Sequence, residues 1–256
     1  MRRRSLVLTV IAGLAVFLVV LALYMPASWF ASLLPAQVRC KELGGSIWQG
    51  ECLGLALQGS NLGDATWNLA PMRALTGRLA GDVDVRGTAL NARADFDTSF
   101  SGVGELRNVD LQFQLDPTLL PLPQQPAGSQ GNLRGSVTAR LKRLEIAAGP
   151  APRTLDGVIE LHDFQQVGAQ AAALGSYQVS FDGSPPKDGA LVGKLRDLGG
   201  PFMVDGTLTL SAPNGYLVQG YITGRTADAE RIVRDITLGV PPDAAGRSTF
   251  SFEGTY

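Results

Sequence analysis

Between residues 78 and 183 apolar and polar residues alternate in blocks, as in "RLAGDVDVRG" (78–87), "LNARADFDTSF" (90–100) and "GELRNVDLQFQL" (104–115). The same period continues in "GNLRGSVTARLKRLEI" (131–146), "TLDGVIELHDF" (154–164) and "LGSYQVSFDG" (174–183), with Gly, Asn, Pro or Asp between blocks. A period of two places alternate side chains on opposite faces of a strand, so these blocks predict an antiparallel meander with one dry and one wet face. Two earlier segments fit it: Ile47, Leu53, Leu55 and Leu57 in one, and Ala65, Trp67 and Leu69 in the next, joined by a glycine-marked connection at 59–63. Trp48 and Trp67 then read as large anchors on neighbouring strands and, secondarily, as a partner surface.

"PMRALTG" reads as one helical turn, with Pro71 at its first position and Gly77 just past its end. Asn214-Gly215 between alternating segments 207–210 and 216–222 predicts a type I′ hairpin turn. Ala229, Ile232, Val233 and Ile236 follow at helical spacing, with Thr226 as N-cap and Gly239 as the residue past the end. "GRSTFSFEGTY" predicts a final strand with Phe250 and Phe252 pointing one way, and reads as the close of the domain.

The N-terminus follows another pattern. Residues 6–25 form an uncharged apolar run, broken only by Thr9, Gly13 and Tyr24. A helix of that length spans about 30 Å, the thickness of a bilayer's hydrocarbon core. Arg2, Arg3 and Arg4 precede it, and beyond Met25 19 of the 22 basic residues face all 23 acidic ones. The positive-inside rule leaves the N-terminus in the cytoplasm and exports the rest. A cleaved signal peptide is the alternative, but "LALYMPASWF" offers no good small-x-small cleavage pair. Trp29, just beyond, falls at the headgroup level.

Composition supports many short strands and tight turns: 31 Gly, 15 Pro and 18% charged residues. A net charge of −1 gives no sign of a basic patch, so nucleic acid is not an expected partner. Cys40 and Cys52 are the two cysteines, and an oxidising compartment would let them bridge, stapling the segment that holds Trp48; two separate buried thiols are the alternative. His162 beside Asp163 could form a general base, but a strand residue with no catalytic role is the favoured reading. One histidine far from both cysteines cannot build a zinc site, and neither a nucleophile elbow, a phosphate loop nor a metalloprotease helix occurs. The expectation is a non-enzyme without cofactor or metal. Glycines beyond those needed for turns suit a long sheet whose uncovered apolar face holds a lipid or a partner strand.

The order of "PASW", "GSIWQG", "TWNLAP" and "GRLAG" after the apolar run, and the ending "LGGPFMVDGTLTLSAPNGYLVQGYITGR" with "LGVPPDAAGRSTFSFEGTY", resembles the type II secretion system protein N family. The resemblance implies a single-pass inner-membrane accessory component of the machine that exports folded periplasmic proteins through an outer-membrane secretin. Its expected partners are the inner-membrane platform, the secretin subunits or both, and it carries over no catalytic residue. An anchored, glycine-rich, long β-sheet also looks like the AsmA-like bridge proteins, which implies a lipid-handling groove. The expected fold is mostly β: one transmembrane helix, then a long, curved antiparallel sheet with a few short helices. The expected layout is a cytoplasmic N-terminus (1–5), the span (6–25), a periplasmic β-rich half (26–123), a linker (124–130) inside the proline-rich stretch 116–131, and a second periplasmic β-rich half (131–256).

Overall fold

The computed structural model describes residues 11, 13, 14, 17, 20, 21, 24–29, 37–57, 59–99, 102–116, 132–146, 152–168, 171–184, 189–237 and 241–255. The expected span at 6–25 lies largely outside them. Ile11, Gly13, Leu14, Phe17, Val20 and Leu21 are helical and exposed, and no helix among the described residues is long and apolar enough to cross a membrane.

The remainder is one curved antiparallel sheet of fourteen strands. In chain order these are β1 (Val38–Arg39), β2 (Glu42–Gly45), β3 (Gln49–Leu57), β4 (Ser60–Leu69), β5 (Arg78–Arg86), β6 (Leu90–Ser99) and β7 (Gly104–Leu115). They continue as β8 (Asn132–Ile146), β9 (Pro152–Val167), β10 (Ala172–Asp182), β11 (Ala190–Gly199), β12 (Phe202–Ser211), β13 (Gly215–Gly224) and β14 (Ser248–Thr255). Two short helices interrupt them, α1 (Pro71–Ala74) and α2 (Ala227–Ile236). From β3 to β14 each strand pairs with the next in sequence, while β1 and β2 lie end to end along the outer edge of β3. Alternating blocks separated by short turns leave each strand nearest to its successor, so a meander results.

The proline-rich stretch does not divide this sheet. β7 and β8, on either side of it, pair directly from Gly104↔Ile146 to Leu115↔Gly135. Residues 117–131, including the expected linker, lie outside the described residues.

Two local expectations differ from the structure. Trp48 is not on a strand: Ser46 to Gln49 form a turn closed by the Ser46 N–H donating to the Gln49 carbonyl at 2.9 Å, and β3 begins only at Gln49. Gly45 ahead of it has φ +79°, which a side chain resists, so the alternation breaks there. The Asn214-Gly215 hairpin forms, but not through a type I′ turn. Ser211 pairs with Gly215, the loop is 212–214 with a cis Ala212–Pro213 peptide, and neither Asn214 nor Gly215 has positive φ. Pro213, with φ held near −65° by its ring, occupies the loop and moves the turn toward the N-terminus.

α2 matches its pattern at the start: the Thr226 hydroxyl accepts from the Ala229 N–H at 3.2 Å. Gly239 lies outside the described residues. Ala229 and Val233 on its inner side pack with Phe202 and Val204 of β12, against which Leu195, Ile222, Ile232 and Phe250 also rest. A second core, Leu155, Phe181 and Leu191, lies across β9, β10 and β11.

Candidate functional site

Directly paired residues form a row across the whole sheet. It runs from Cys52 on β3 through Ala65, Val85, Ala92, Leu111 and Ala139 to Ile159 on β9. It continues through Val179, Leu195, Gly206 and Gly220 to Phe250 on β14. Every member is apolar or glycine. At about 4.8 Å between strands the row is roughly 50–60 Å long, perpendicular to the strands.

The neighbouring row, on the other face, runs through Thr66, Asp84, Arg93, Asp110 and Arg140 of β4 to β8. Beyond Val158 it passes Ser180, Lys194, Thr207 and Gln219 to Ser251. Asp84, Arg93, Asp110 and Arg140 alternate in sign as direct cross-strand neighbours, a favourable order that a one-residue slip in any ladder would destroy. Period-two patterning thus extends coherently over twelve strands.

One layer of secondary structure cannot bury its own apolar face; two layers are the usual solution. Among the described residues α2 covers the face only over one end of β10 to β14, and no large side chain is fully buried. Over the rest of the row Cys52, Ala65 and Ala139 are buried, and Val85, Ala92, Leu111, Ile159 and Val179 half-buried, by their neighbours and the sheet's curvature. Among the described residues this largely uncovered apolar stripe is the main candidate interaction feature.

The ends of the stripe are built differently. At the start, Cys40 and Cys52 form a disulfide with Cα atoms 5.5 Å apart. The Trp67 indole N–H donates to the Ile47 carbonyl at 2.9 Å, and its ring lies over Gly50, where a Cβ would collide with it. The Trp48 carbonyl accepts from the Leu69 N–H, and the Ile47 N–H donates to Met25. Pro26 bridges Ser46, so the turn that carries Trp29, itself 61% exposed, is joined to this corner. The disulfide, Trp48, Trp67 and the Trp29 turn are therefore one assembly. Asn214 lies in the β12–β13 loop and Gly215 opens β13, away from this corner.

At the far end Arg225, immediately before α2, donates to Asp197 at 2.7 Å and to the carbonyls of Gly200 and Phe202. Burial pushes Asp197 up, but its hydrogen bonds from Arg225 and the Val204 N–H prevail and hold it below the ordinary carboxylate value. The Tyr177 hydroxyl, donating to the Leu174 carbonyl, is pushed up to about 12 by burial. These contacts hold α2 on the sheet.

The polar face carries its own clamp. Asp97, 7% exposed, accepts from Arg78 at 2.8 Å and from Arg73 of α1 at 3.2 Å. The Arg78 hydrogen bond lowers its pKa. A cleft of about 590 Å³ on this face is lined by Asp110, Arg140, Asp156, Glu160 and Gln178 among others. Glu160 there accepts from Gln178 at 2.8 Å and lies 3.2 Å from the His162 ring. The acid that meets His162 is thus Glu160, not Asp163, whose backbone bonds to Ser176. Among the described residues no cluster of His, Cys, Asp or Glu could hold a metal ion. The sequence reading missed Asp97, its arginines and the Asp197–Arg225 pair, because partners 19 to 28 residues apart carry no local signal.

These features define a single-layered antiparallel sheet with one apolar and one polar face. Residues 36–251 match the family model described as type II secretion system (T2SS), protein N. The chain belongs to that family and is a component of the type II secretion system, which implies contact with other subunits of the system. Neither a curated relative nor a solved structure matches it.

Proposed function

We propose that the chain is an inner-membrane accessory component of this system, anchored by the apolar run at 6–25, with its sheet in the periplasm. It supports export of folded periplasmic proteins through the outer membrane by protein–protein contacts with the inner-membrane platform or the secretin. It has no catalytic role, and His162 is an ordinary strand residue. The observation that carries this reading is the apolar row from Cys52 to Phe250, which lacks a covering layer over most of its length among the described residues. A partner surface supplies that layer.

A second reading, a lipid-handling groove, is favoured by the row's continuity. Acyl chains need an unbroken apolar path, whereas protein interfaces intersperse apolar patches with polar rims. One experiment tests both: photoreactive residues in place of Leu111, Val137 and Val218 in cells, with adducts identified by mass spectrometry. Adducts confined to platform or secretin subunits support the scaffold; adducts to phospholipid or lipopolysaccharide support the groove. A deletion strain that secretes all its exoproteins at normal rates overturns the accessory role.

A further inference from the structure

The two edges of the sheet differ. The first is interrupted: β1 and β2 supply two and four paired residues, the disulfide-bonded Cys40 and Lys41 lie between them, and Arg39 and Glu42 flank the break. Short, charged, broken edges resist the addition of another strand. β14 has none of these defences. Its eight residues pair with β13 without a bulge, it contains no proline, and Glu253 is its one charged residue. Phe252 is 52% exposed, beside Phe250 with ring centroids 5.7 Å apart.

Residues 243–247, leading into β14, are tied together. Asp243 accepts from the backbone N–H groups of Ala245 and Arg247, both at 2.9 Å, and from the Arg247 side chain at 2.8 Å. Arg247 also stacks over Tyr221, 4.3 Å from the ring centroid. The edge is therefore presented in its paired conformation, so an added strand need not order it.

We propose that β14 pairs antiparallel with β14 of a second copy of this chain, joining two sheets edge to edge about a two-fold axis. The pleat restricts the register, because apolar residues must stay opposite apolar residues. Two allowed registers, with Ser251 or with Phe252 opposite itself, share the longest overlap; the Ser251 register alone gives both Phe250 and Phe252 an aromatic partner. It sets Phe250 against Phe252 of the other copy, Ser248 against Gly254 and Thr249 against Glu253, with no like charges opposite. Glu253 then lies diagonal to Arg247 across the junction. Both rows continue into the second copy: the apolar row through Phe250 and Phe252, the polar row through Ser251. A head-to-tail pairing of β14 with the broken first edge offers no such continuous ladder. The proposal is independent of what covers the apolar face.

The test uses the full chain in nanodiscs, with Ser251→Cys as its one added thiol, since Cys40 and Cys52 are bonded to each other. Mild oxidation is expected to give a covalent dimer far faster than Ser184→Cys, an exposed position on a distant loop that reports random collision. Adding Phe252→Lys should lower the yield about tenfold, through two lost aromatic pairs, with the melting temperature unchanged. If Ser251→Cys does not fold, co-expressed Thr249→Cys and Glu253→Cys chains carry the same test through the 249–253 contact. A yield no higher than the Ser184→Cys control, a yield indifferent to Phe252→Lys, or cross-linking in cells to a different polypeptide instead of a second copy would overturn the self-pairing.

Discussion

Asp97 provides a sharp test of how the polar face is held. Asp97→Asn keeps the shape and removes the charge. The wild-type carboxylate side chain is 9% exposed and bonds Arg78 at 2.8 Å and Arg73 at 3.2 Å, which are themselves 46% and 59% exposed. Charge-assisted hydrogen bonds to a buried carboxylate contribute about 1.5–3 kcal/mol each. Half-exposed arginines rehydrate when released, which reduces the combined loss to about 2 kcal/mol. For a domain of this size that lowers the melting temperature by roughly 4–8 °C. The pH dependence separates charge from packing. Because Arg78 holds the folded carboxyl below its unfolded value, the stabilisation is fully present above about pH 4 and is lost as pH falls through the folded pKa. The gap between the melting curves of the two proteins at pH 7 should therefore shrink at pH 2. A gap of equal size at both pH values would refute the electrostatic account and assign the effect to packing.

Replacing Cys40 and Cys52 by serine opens a loop with a sequence separation of 12, which by loop-closure entropy costs about 3 kcal/mol; hydrogen exchange should show the loss concentrated in β1, β2 and β3. Gly50→Ala should destabilise by about 1–3 kcal/mol in denaturant unfolding, since the new Cβ collides with the Trp67 ring and lies 2.7 Å from the Gly44 carbonyl; Trp67→Ala should relieve the part due to the ring. Thr226→Ala removes the N-cap of α2 and should cost about 1 kcal/mol, with faster exchange at Ala229 than in β12.

Much of the fold is legible in the chain because a strand's faces are set by a period of two, a purely local property. The alternation at 104–115 coincides with β7, and Thr226 and Pro71 mark the starts of α2 and α1. The order of short motifs was likewise enough to indicate the family. Local period does not say which residue of one strand lies opposite which of another. That depends on turn geometry and bulges, so the unbroken row from Cys52 to Phe250 and the alternating charges from Asp84 to Arg140 exist only in the assembled sheet. Trp48 shows the limit from the other side: its segment alternates well enough to suggest a strand, yet a backbone turn closed between Ser46 and Gln49 decides its place. Asp97 and its two arginines lie on three separate elements that nothing local connects. The sequence by itself determined the elements, their two faces and the family; tertiary structure decided the register, the clamps and the contrast between a broken first edge and an unbroken last one, because each of these depends on residues distant in the chain coming side by side.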